Sequence, residues 1–127
     1  MPEQSIEQII REDGRYPPEA YAFLHEALQR AIRQVHGETG PKQPRHVTGG
    51  QICQAVRDLA IQRWGMLART VLVKWNVRGT IDFGNMVYLM IRHGHWHKEE
   101  EDRIEHFRDV FDFAEAFDAC DEFEVAE

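Results

Sequence analysis

Residues 66–94 read MLARTVLVKWNVRGTIDFGNMVYLMIRHG, and apolar positions recur in them at helical spacing twice, on either side of a short polar break. Leu67, Val71, Leu72 and Trp75 share one face of a helix running from about Met66 to Trp75. Asn76 to Gly79 interrupts the pattern. Thr80 is expected to cap the next helix, with Asp82 at its positive end. Phe83, Met86, Val87, Met90 and Ile91 form that helix's apolar stripe, and Gly94 ends it. From His95 to Val110 the period changes, and a short hairpin or extended arm is expected. Helix, tight turn, helix and wing is the order of a winged helix-turn-helix.

Working toward the N-terminus, Thr48-Gly49-Gly50-Gln51 reads as a capping box opening a third helix. Its apolar face is Ile52, Val56, Leu59, Ala60 and Trp64, and Gly65 suits its end. Residues 37–47 hold two Gly and two Pro and are expected to be a loop. Before the loop, Ala20, Phe23, Leu24, Ala27, Leu28, Ala31, Ile32 and Val35 keep the i, i+3, i+4 pattern. Pro17 and Pro18 open that helix and Gly37 closes it. Ile6, Ile9 and Ile10 with Gly14 predict a short first helix. The expected fold is therefore mainly α, a compact bundle of about five helices containing a helix-turn-helix-like unit. A small C-terminal β-hairpin or extended arm completes it. Residues 1–117 are expected to form one helical domain and 118–127 an acidic, mobile tail.

A chain of 127 residues with 43% hydrophobic and 29% charged side chains is long enough for one self-sufficient core. No apolar run approaches the roughly 20 residues a membrane helix needs, so no membrane partner is expected. The N-terminus has neither a basic region nor an apolar stretch, which predicts no secretory leader. Cys53 and Cys120 stand in dissimilar contexts and imply neither a disulfide framework nor a zinc knuckle. A reducing cytoplasm is the simplest expectation.

Charge is unevenly distributed. Residues 42–98 carry nine Lys/Arg against two acids, a local net of +7, while residues 99–127 carry thirteen acids against two arginines, a net of −11. Such blocks speak about partners and self-association rather than about fold. In a helix-turn-helix the fifth helix would present Asn85, Tyr88 and Arg92 to base edges. Arg69, Lys74, Arg78 and Lys98 would supply phosphate contacts. That helix, however, has one arginine and begins with an acid, which is little positive charge for a nucleic-acid reader. Helix-turn-helix packing also builds helical cores that touch no nucleic acid. The acidic end is a candidate mask for the basic middle, a docking motif, or a solvated terminus.

His93, His95 and His97 form an H-x-H-x-H run. On a strand, His95 and His97 would face the same side, a geometry that suits a divalent metal such as zinc. The plainer reading is a helix C-terminus that favours His, followed by a polar strand face. There is no G-x-S-x-G, Gly-rich phosphate loop or H-E-x-x-H. Thr48 to Gln51 suggests an anion nest, but a capping box needs those residues without a ligand. Cys53 lies near Arg57 and a helix start, yet beside Ile52 and Val56 it reads as buried and structural. Trp64 and Trp75 read as core.

Arg45-His46-Val47-Thr48-Gly49, Ala68-Arg69-Thr70-Val71-Leu72, Trp75 with Asp82-Phe83-Gly84, and Asp109-Val110-Phe111-Asp112-Phe113 with Glu115-Ala116-Phe117 form a combination. In these the chain resembles an uncharacterised family of small proteins associated with planctomycetes and verrucomicrobia. The resemblance runs from Tyr21 to Phe117. It implies a bacterial, single-domain, cytoplasmic protein with the tail up to Phe117 inside the domain, and it carries no activity or cofactor. The function expected from the sequence is a non-enzymatic binding module for a protein partner or a second copy, with nucleic acid as a further possible ligand and no cofactor. The alternatives are a metal-binding protein or enzyme built on His93, His95 and His97, and a structural homo-oligomer.

Overall fold

A computed structural model describes residues 5–37 and 46–118. Among these the chain is mainly helical, with α1 (Ile6–Asp13), α2 (Pro18–His36), α3 (Gly49–Trp64), α4 (Ala68–Lys74) and α5 (Thr80–Arg92). These are the five helices the periodicity predicts. Two capping boxes start α1 and α3. The Ser5 hydroxyl accepts from Gln8 N (3.2 Å), and that of Thr48 accepts from Gln51 N (3.1 Å). The Gln51 side chain returns the bond to Thr48 N at 2.9 Å, so four orphan donors across the two helix starts find partners.

The core's main pair is α2 against α3. Fully buried alanines on both helices (Ala20, Ala27 and Ala31; Ala55 and Ala60) allow close approach. Phe23 of α2 links this pair to the end of the third helix and to α4. Its ring centre lies 4.9 Å from Trp64 and 5.8 Å from Trp75, and the two indoles meet edge to face at 5.4 Å. Both tryptophans therefore belong to packing, as their positions predicted. Between α3 and α4 the chain makes a single 3-10 turn, Gly65–Leu67, with Gly65 at φ 53°. At that break Met66 and Leu67 stand exposed.

The start of α5 differs from expectation. Gly79 is the cap residue, and the Asp82 carboxylate accepts from Arg78 N (2.8 Å) and Gly79 N (3.1 Å). Thr80 is the first helical residue and is 1% exposed. Its hydroxyl donates to the Phe107 carbonyl (2.5 Å) and accepts from Val110 N (3.0 Å). The hydroxyl serves the C-terminal arm instead of its own helix, because the arm's backbone groups are buried there and need it.

Among the described residues there is no strand, so the hairpin expected between His95 and Val110 is absent. Gly94 leaves α5 with φ 83°, and the chain runs on as an irregular arm. The arm turns at Glu99–Asp102, where the Asp102 carboxylate accepts from Glu99 N (2.9 Å). It then winds into a 3-10 turn, Ile104–Phe107. Ile104 and Phe107 stand three apart, the spacing of that turn rather than of a strand. Phe107 lodges where α3 and α5 present Gly49 and Gly84. Consequently α5 packs mainly on this turn and not on α4.

The acid–aromatic repeat that follows is core on its aromatic side. Phe111, Phe113 and Phe117 contact one another with ring centres 5.4–5.8 Å apart, and Phe113 and Phe117 are buried. The last described turn, Ala114–Asp118, rests on Gly65–Leu67 and α4. The mobile tail expected over 118–127 lies, from residue 119, outside the described residues. Among those described, no helix is long and apolar enough to cross a membrane.

Candidate functional site

Three helices and the arm line a half-open cavity of about 350 Å³. Leu28 and Ile32, four apart on α2, give one wall; Val87 and Ile91, four apart on α5, give the opposite one. Ile52 at the start of α3 lines the floor, and Trp96 and Phe107 close it from the arm. The amphipathic stripes that build the core thus continue past the point where side chains fill it. The size is at the lower end of ordinary small-molecule sites, roughly 300–1,000 Å³.

The rim is polar. His46 Nε2 lies 3.2 Å from Asp102 Oδ1 and 3.1 Å from Oδ2, which ties the arm to the residue two before the α3 cap. His36 Nε2 in turn contacts the His46 carbonyl at 2.6 Å. Lys98 Nζ donates to the carbonyls of Glu99 (3.1 Å) and Asp102 (3.3 Å) and so holds the arm's own turn. Trp96 leans on α2, its ring 6.5 Å from His25. His95 N donates to the Met90 carbonyl (2.9 Å), closing the end of α5 as the arm departs.

Tyr88 occupies the wall between Val87 and Ile91. Its hydroxyl is buried and makes no hydrogen bond among the described residues. Burial pushes its phenol pKa up, Asp102 and Glu105 add to the rise, and Arg103 opposes it. The group therefore stays protonated and available as a donor. A buried hydroxyl without a partner costs about 1–3 kcal/mol relative to one that has found it.

The residues proposed for nucleic-acid contact divide between exposed positions and positions engaged elsewhere in the fold. Arg69 and Lys74 are exposed on α4, Arg78 on the turn after it, and Arg92 at the end of α5. Asn85 is engaged internally: its amide donates to the Tyr16 hydroxyl (3.1 Å), which itself donates to Asp82 (2.6 Å). Tyr88 and Lys98 belong to the cavity. Asn85 and Tyr88 are thus drawn to different neighbours, one toward the start of α2 and the other under the arm. Part of the basic middle is also neutralised locally, since Arg63 grips Glu26 of α2 with two bonds of 2.9 and 2.7 Å.

The histidine run does not converge. His95 and His97 line the cavity, while His93 is exposed beyond α5. Among the described residues no three His, Cys, Asp or Glu side chains lie close enough to hold a metal ion. The strand alternation that would have aligned them is broken by the left-handed turn at Gly94. Cys53 is fully buried, and desolvation pushes its thiol up to about 12, which removes it as a nucleophile near neutral pH.

Sequence reasoning missed the cavity's floor and the His46–Asp102 pair. Periodicity assigns Leu28, Ile32 and Ile52 to an apolar face but cannot say whether that face meets a side chain or a void. The one available signal was glycine inside helices. Gly49 and Gly84 mark a close approach by another part of the chain, and the visitor is Phe107. The chain matches no family model, no curated protein and no solved structure.

Proposed function

We propose that this chain is a non-enzymatic binding module that receives the apolar body of a small ligand in the cavity under the C-terminal arm. The observation that carries this reading is the combination of an apolar floor with a buried Tyr88 hydroxyl on the wall that has no partner among the described residues. The Tyr21 hydroxyl in the core is also buried without a partner among the described residues, so it is the unfilled apolar space beside Tyr88 that distinguishes this site. The inert Cys53 and the scattered histidines favour binding over chemistry. A helix-turn-helix would need α4 and α5 to pack on each other, whereas α5 packs on the arm's 3-10 turn. Binding goes to the cavity instead of a DNA groove because Asn85 and Tyr88, its base-reading positions, are turned inward.

The test is a fluorescence titration with N-phenyl-naphthylamine, an uncharged apolar probe. Saturable one-to-one binding is expected, and it should be lost in Ile32→Trp, which fills the cavity, with far-UV circular dichroism unchanged. Should that variant unfold, Leu28→Phe provides a milder block. A wild type with no saturable signal sinks the reading. A parallel salt series with duplex DNA tests the groove-binding alternative. Affinity falling steeply with salt and lost when Arg78 and Arg92 become Ala would move the function to that surface.

A further inference from the structure

The rim and the wall together restrict what the cavity accepts. Lys98 and Arg103 stand on the rim beside Glu99 and Asp102, so both signs of charge are present within one small mouth. A ligand with a full charge of either sign meets a like charge there. It also surrenders hydration among Leu28, Ile32, Ile52 and Ile91 of the walls and floor, where burying an unpaired charge is costly. The polar group needing a partner is the Tyr88 hydroxyl. Burial, reinforced by Asp102 and Glu105, keeps it a proton donor, so what it lacks among the described residues is an acceptor.

We infer that the cavity binds an uncharged amphiphile, with a chain-like apolar body on the floor and one neutral carbonyl-type acceptor placed against the Tyr88 hydroxyl. This inference rests on the cavity reading above and names the ligand class for the same site. A carboxylate would face Glu99 and Asp102, and an ammonium would face Lys98 and Arg103. A ketone, ester or amide carbonyl accepts the phenolic proton without meeting either penalty. The body supplies affinity through buried apolar area, and the carbonyl fixes orientation.

The experiment displaces N-phenyl-naphthylamine with four molecules of matched length: decane, methyl octyl ketone, decanoate and decylammonium. The wild type should rank the ketone first. Tyr88→Phe should weaken the ketone by about fivefold to tenfold, the value of one hydrogen bond, while leaving decane displacement unchanged. Because the hydroxyl makes no bond among the described residues, Tyr88→Phe should fold as the wild type does. Decanoate or decylammonium binding more tightly than the ketone overturns the inference. So does a ketone affinity that survives Tyr88→Phe. If the probe binds but the ranking is wrong, the ligand class fails and the cavity reading stands. If the probe does not bind at all, the cavity reading fails and the ligand class with it.

Discussion

Phe107 occupies the space in which Gly84 would carry a methyl group: a Cβ on Gly84 would lie 2.8 Å from the Phe107 Cβ and 2.9 Å from its Cγ. Those atoms are the root of the side chain, fixed to a 3-10 turn that Thr80 holds by hydrogen bonds. They cannot swing aside as the far end of a lysine would.

Gly84→Ala is therefore expected to destabilise the protein by about 1–3 kcal/mol, although alanine is the better helix former by about 1 kcal/mol. The clash outweighs the propensity. Combining it with Phe107→Ala should give strong non-additivity in urea unfolding, since the second change removes what the first collides with. A Gly84→Ala variant more stable than wild type would contradict the packing.

Thr80→Val keeps the shape of a buried side chain and deletes its hydroxyl. The Phe107 carbonyl and Val110 N–H then lose their partner, and a loss of about 2 kcal/mol is expected. Thr80→Ser retains both bonds and should lose about 1 kcal/mol or less, because only a methyl group goes. Equal losses in the two variants would show that the methyl, not the hydroxyl, matters.

Alkaline solution should weaken the fold through three groups that it holds neutral. Tyr16 and Tyr21 are pushed from the ordinary tyrosine value near 10 to about 12, in both cases chiefly by burial. Burial likewise lifts Cys53 from about 9 to about 12. Since each folded-state value exceeds the unfolded one, the stability they contribute is complete below about pH 9 and is lost as pH rises toward 12. The urea midpoint should fall over that window. A flat profile between about pH 9 and 11.5 would falsify the assignment.

At the acid end, the contact with Arg63 holds the Glu26 carboxyl below the usual glutamate range. Its contribution is therefore present above the unfolded value and is lost as pH falls through the folded one. Both side chains are exposed, so solvent and salt screen the pair. Arg63→Ala is expected to cost less than about 1 kcal/mol, and the difference should shrink at high salt. A loss of several kcal/mol would mean that the arginine packs as well as pairs.

The helices were legible because each states itself locally. Ile9 and Ile10 before Gly14, the α2 stripe, Thr48 with Gln51, and Gly65 and Gly94 as stops all act within a few residues. The arm was misread as a hairpin because what shapes it lies elsewhere in the sequence. Phe107 is positioned by Gly49, Gly84 and Thr80, and Asp102 by His46. The same reason displaced Thr80 from its predicted cap: local chemistry favoured capping, and a distant buried carbonyl competed for the hydroxyl and won. Asn85 and Tyr88 were legible as polar positions of α5, but not the fact that an arm and a tyrosine from another helix start would cover them.

The arm's anchors also set an order in time. The α2–α3 pair joins neighbouring helices, whereas Thr80–Phe107 closes 27 residues and His46–Asp102 closes 56. Chain entropy makes such closures late events, so the helices assemble first and the cavity comes into being only with the final step. In reverse, the arm is expected to open before the α2–α3 pair. Hydrogen exchange should find the Val110 amide less protected than those of α2.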